Sequence, residues 1–97
     1  SRPPMNLNQN VTLSPEVISQ EVSGETVLLD LESENYFGLD EVGTRIWQLM
    51  KETNDLQAIY QTLLAEYDVS EERLQQDLDT LLGEIAGLGL VTLEQRT

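Results

Sequence analysis

Apolar and polar positions follow two different rhythms along the 97 residues. From residue 11 to residue 39 they fall into short β-branched runs. Val17, Ile18 and Val22 lie in the first run. Thr26-Val27-Leu28-Leu29-Asp30-Leu31 is the strongest strand signal of the chain, and Tyr36-Phe37-Gly38-Leu39 is a short third strand. Ser23-Gly24-Glu25 and Glu32-Ser33-Glu34-Asn35 supply the turns between them. Two tight connections between three short strands predict an antiparallel meander. Val11-Thr12-Leu13 adds a small flanking strand, which Pro15 ends.

From residue 40 to residue 88 the period is helical. Asp40 is the N-cap of a first helix with Val42, Ile46, Leu49 and Met50 on one stripe and Lys51 in its last turn. Asn54 or Asp55 caps a second, with Leu56, Ile59, Tyr60, Leu63, Leu64 and Tyr67 as its stripe. Ser70 caps a third, with Glu71 and Glu72 in the first turn and Leu74, Leu78, Leu81, Leu82, Ile85 and Leu88 as its stripe. Gly87 and Gly89 close it, and Leu90-Val91-Thr92-Leu93 packs back as an extended segment.

The order β-β-β-α-α-α predicts an α+β domain: a three-stranded antiparallel sheet followed by three helices that cover one of its faces. This is also the content of a winged helix. The domain is expected over residues 11–93, after a polar arm at 1–10 and before a short tail at 94–97. Residues 1–4 read as a remnant ahead of a natural start at Met5.

Composition narrows the function. There are 18 acidic against 5 basic side chains, a formal charge of −13, and no Cys or His. Disulfides, thiolate zinc sites and imidazole catalysis are excluded. A surface this acidic repels phosphate backbones, which argues against nucleic acid as a partner. No apolar run approaches a membrane span or a signal-peptide core, so a cytoplasmic protein is expected.

Candidate chemistry is thin. The serines have no His partner, and the single Lys, Lys51, sits in no Ser–Lys motif. Glu71 and Glu72 stand where a helix start favours acids in any case. The stretch Asp30 to Glu41 has acids at positions 1, 3, 5 and 12 of a calcium loop, but Asn35 replaces the turn glycine and a strand precedes it. Ser14 and Ser70 lack the Asp-Ser-Leu context of an acyl-carrier serine. The expectation is a non-enzyme without metal or cofactor. What remains is an edge. The third strand carries neither Pro nor Lys, and a helix beside it would make a groove floored by backbone groups and walled by leucines.

The segments Val27-Leu28-Leu29-Asp30-Leu31 and Tyr36-Phe37-Gly38-Leu39-Asp40-Glu41-Val42-Gly43-Thr44-Arg45-Ile46-Trp47 resemble the PqqD family, the recognition elements of ribosomal peptide-modification pathways. Leu63-Leu64-Ala65-Glu66-Tyr67-Asp68-Val69 and Gly87-Leu88-Gly89-Leu90-Val91 extend the likeness over roughly residues 15–92. Asp40 and Thr44 stand where the family often has Asn and Ala. The likeness is greater to the stand-alone recognition proteins of lasso-peptide clusters.

The resemblance implies a peptide chaperone that holds the leader of a precursor as an extra strand and presents it to a leader peptidase and a cyclase. It places the floor of the site at Asn35, Tyr36, Phe37, Gly38 and Leu39, and its wall at Leu74, Asp77, Leu78, Leu81 and Leu82. Two other readings stay open: a PqqD-like chaperone of a different modification pathway, and a winged-helix regulator. Against the second, the third helix opens Glu71-Glu72-Arg73-Leu74-Gln75-Gln76-Asp77, a face that repels phosphate. The open edge leaves both a monomer and a weak dimer available.

Overall fold

The computed structural model describes residues 6–96. Its elements run β1 (Gln9–Leu13), β2 (Val17–Val22), β3 (Glu25–Asp30), β4 (Tyr36–Leu39), α1 (Glu41–Glu52), α2 (Leu56–Glu66), α3 (Glu71–Gly87) and β5 (Val91–Gln95). β2, β3 and β4 form the expected antiparallel meander, in that order. The β2–β3 turn is Ser23-Gly24, and both residues have positive φ, 54° and 81°. That left-handed pair matches the twist of a two-residue hairpin.

The flanking strand exists but does not join the meander. β1 pairs antiparallel with β5, from Gln9 opposite Gln95 to Leu13 opposite Val91. The ribbon is tied to the helices by the Val11 amide, which donates to the Asn54 carbonyl at 2.9 Å, and by Arg96, whose guanidinium donates to Asp55 at 2.9 Å. It therefore begins inside the stretch expected as an arm and ends inside the expected tail. Leu7 also packs against the core. The expected remnant at residues 1–4 lies outside the described residues.

The helix caps fall where the sequence places them. Asp40 accepts from the Gly43 amide at 2.8 Å, Asp55 from the Gln57 amide at 3.1 Å and Ser70 from the Arg73 amide at 3.1 Å. α3 ends in a Schellman motif: the Leu90 amide donates to the Ile85 carbonyl and the Gly89 amide to the Ala86 carbonyl, with Gly89 at φ 77°. Leu90 and Ile85 are both fully buried, so the motif also sets the start of β5 against the core.

Alternation along the meander decides what each face does. Leu28 and Leu39 point inward and are buried with Ile46, Leu49 and Met50 of α1 and the leucines of α2 and α3. Gln20, Val27 and Gly38 share one cross-strand row and Ile18, Leu29 and Tyr36 the next, both on the opposite, solvent-facing side. Gly43 lets α1 start close to β4: a Cβ there would lie 3.2 Å from the Leu39 side chain.

Candidate peptide-binding site

β4 is an edge strand: among the described residues, no strand pairs with its outer side. Two bonds fix which of its groups are free. The Asp30 amide donates to the Asn35 carbonyl at 2.9 Å, and the Leu31 amide to the Glu16 carbonyl at 2.9 Å. Residues 26, 28 and 30 of β3 therefore bond toward β4, and residues 25, 27 and 29 toward β2, by the alternation of an antiparallel ladder. On β4, Phe37 and Leu39 are the bonded partners. The N–H and C=O of Tyr36 and Gly38 point away from the sheet.

The turn before this edge is held by Asp30, which is buried. Its carboxylate accepts from the Glu32 amide at 3.1 Å and from the Ser33 hydroxyl at 2.8 Å, while its carbonyl accepts from the Glu34 amide at 2.8 Å. The Asp of the Leu-Leu-Asp strand thus sets the β3–β4 turn.

Beside the edge lies a cleft of about 540 Å³. Its floor is Phe37, Gly38 and Leu39. One wall is the start of α1, with Asp40, Val42, Gly43 and Ile46; the other is α3, with Arg73, Asp77, Thr80, Leu81 and Glu84. Arg73 pairs with Asp77 at 3.2 Å. The lining is apolar at its base and acidic at its rim, with three carboxylates against one guanidinium.

The expected site residues divide. Phe37, Gly38, Leu39, Asp77 and Leu81 are brought together in the cleft. Leu74, Leu78 and Leu82 are not: at 3%, 0% and 1% exposure they belong to the core. Helical spacing groups them with Leu81, but the wall is the neighbouring stripe of α3, turned about one residue further round. Asn35 is exposed and closes the ladder through its carbonyl, and Tyr36 faces the outer side of the sheet. The α1 contribution was missed. Its signal was Val42, the most exposed member of that helix's apolar stripe.

β2 is the other edge, and it carries Glu21, which turns inward and accepts from Gln48 of α1 at 3.1 Å. Inward-turned charge protects an edge from strand addition. β4 has no such guard.

An unpaired strand edge beside a cleft with an apolar base is the geometry in which an extended chain adds to a sheet as a further strand. The model of the family described as coenzyme PQQ synthesis protein D (PqqD) matches residues 25–91, well over half of the chain, and the chain belongs to that family. No curated protein matches it. Among solved structures it is similar to one described as TbiB1 in complex with the TbiA(beta) leader peptide, with 38% identity, a TM-score of 0.77, and coverage of 82% of this chain and 93% of that one. It shares its fold with one described as lasso peptide synthetase B1 complexed with the leader peptide, with 24% identity, a TM-score of 0.75, and coverage of 86% and 98%.

Proposed function

We propose that this protein is a non-catalytic recognition protein of lasso-peptide biosynthesis, which binds the leader of a ribosomally made precursor and presents it to a leader peptidase and a cyclase. The leader adds antiparallel to β4. The observation that carries the reading is the outward-facing backbone of Tyr36 and Gly38 beside a cleft floored by Phe37, Gly38 and Leu39; the relative named for its leader complex supports it.

The energetics explain why the edge alone is not enough. Ordering a flexible leader costs ~1–2 kcal/mol per residue. Ladder hydrogen bonds return only ~1 kcal/mol net each. Apolar side chains worth ~1.5–3 kcal/mol each must close the gap, and the residues of the guest opposite Phe37 and Leu39 point into the cleft to do so.

Gly38→Pro tests this without disturbing β3. The Gly38 N–H faces outward, so proline there removes a donor to the guest and none to the sheet. In a fluorescence-polarisation titration with a labelled synthetic leader of the cognate precursor, the wild type binds saturably. The variant loses at least about tenfold in affinity, the equivalent of a lost bond plus steric exclusion. Its circular dichroism and melting temperature stay those of the wild type. Equal affinity in the folded variant removes β4 from the reading.

A further inference from the structure

Gly38 has no reason to be glycine in the free domain. Its φ is not positive, and a Cβ built on it meets nothing within 4 Å. Glycine inside a strand costs ~0.5–1 kcal/mol and leaves a gap in the side-chain row. The gap here has a definite shape. On the outer face Gly38 lies directly opposite Val27, in the closely spaced type of pair. Val27 is 50% exposed because nothing from β4 covers it, and Tyr36, 75% exposed, stands two residues away as a side wall. The slot opens onto the same edge from which the Gly38 N–H and C=O point away from the sheet, with no strand beyond them among the described residues.

We propose that this slot on the outer face of the sheet takes one large apolar side chain, aromatic, Leu or Met, from the strand that adds to β4. The inference rests on the strand-addition reading and deepens it. A guest residue bonded to Gly38 has its side chain on the outer face, beside the slot. It must cross the glycine to reach Val27, whose strand lies two spacings of ~4.8 Å away. Ala, Ser and Val are too short; a ring or a long unbranched chain laid across Gly38 meets Val27 and the edge of Tyr36. Covering a strand glycine with a neighbouring aromatic is a known way to restore the missing packing.

The guest's neighbours on either side, opposite Phe37 and Leu39, face the cleft. Recognition therefore uses both faces of the sheet and asks for three successive apolar residues, where a one-sided groove asks for alternation. A second copy of this chain is a poorer occupant. Glu25 stands on the outer face, Glu16, Glu32 and Glu34 lie at the strand ends, and stacking two chains of −13 would double that field.

The test is a selection of displayed random 12-residue peptides against the wild type and Gly38→Val, a substitution for which the free domain has room. The wild type is expected to enrich peptides with a large apolar residue at the centre of the bound segment. The valine variant, equally folded by circular dichroism, is expected to enrich small or polar residues there. A wild-type-selected peptide is expected to bind the variant at least about tenfold more weakly, the worth of one buried side chain. Its central-Ala version is expected to bind both proteins alike.

Identical enrichment at the centre by both proteins, or a central-Ala penalty that is the same on both, overturns the slot. So does a wild-type dimer in sedimentation that Gly38→Val dissolves, since the slot then belongs to a second copy. Failure of the strand-addition reading looks different: the selected peptides bind Gly38→Pro as well as they bind the wild type.

Discussion

At the residue scale, the proposed slot depends on a glycine, Gly38, where the free fold has room for a larger side chain. Thr44 is another kind of exception: it is buried in α1, and among the described residues its hydroxyl has no hydrogen-bond partner. Thr62, by contrast, returns its hydroxyl to the Ala58 carbonyl at 2.9 Å. An unsatisfied buried hydroxyl costs ~1–3 kcal/mol, and valine has the same shape and a similar helix propensity. Thr44→Val is therefore expected to leave stability unchanged or raise it by up to about 2 kcal/mol in urea denaturation. A loss of more than about 1 kcal/mol would mean that the hydroxyl has a partner.

Elements show what the sequence could and could not say. The meander, the three helices and their caps were legible because each is a local matter: a turn that accepts positive φ at Ser23 and Gly24, an Asp or Ser ahead of an apolar stripe. That Phe37 and Leu39 share the cleft side of β4 was legible because strand alternation has only two sides. The α3 wall was not. A helix stripe shows which side is apolar but not which of its members meets a second layer, so Leu74, Leu78 and Leu82 were read with Leu81 although they face the core. The β1–β5 ribbon was half legible for a similar reason: both segments look extended, and nothing local pairs residues this far apart.

One contact between elements gives a pH signature. Arg45 of α1 donates twice to Glu66 at the end of α2, at 2.8 and 2.6 Å. That hydrogen bond, aided by the nearby charge and opposed by partial burial, holds the Glu66 carboxyl below its usual value. A depressed carboxyl stabilises the fold above its unfolded pKa, and the contribution disappears as pH falls through the folded one. The wild type is thus expected to melt higher than Glu66→Gln at neutral pH. The difference should be complete above the ordinary glutamate pKa of about 4.3 and fade as pH falls through the lower folded one. A difference independent of pH would assign the contact to packing. Only a small effect is expected, since both groups are about one-third exposed and screened by salt.

For the whole molecule the dominant fact is charge. At −13 on a domain of this size, the field reaches past the cleft, whose rim is itself acidic. Leaders and enzymes with basic patches should be drawn in quickly. Stopped-flow association with a Lys- or Arg-bearing leader is expected to slow about tenfold or more between 20 mM and 500 mM salt, while dissociation changes little. A salt-independent association rate would reduce the charge to a matter of solubility.

The ribbon that joins Gln9 to Gln95 has a consequence for how the domain comes into being. Synthesis delivers β1 ahead of the meander and the three helices and β5 after them, so the first strand waits, unzipped, until all of them have been made. Val11, enclosed in the finished fold, spends that interval without β5 beside it. Pairings of such long sequence separation are the slow step of small domains. The meander can close on the nascent chain long before the ribbon clasps it, so the peptide-holding edge is older, in the life of each molecule, than the seam that locks it shut.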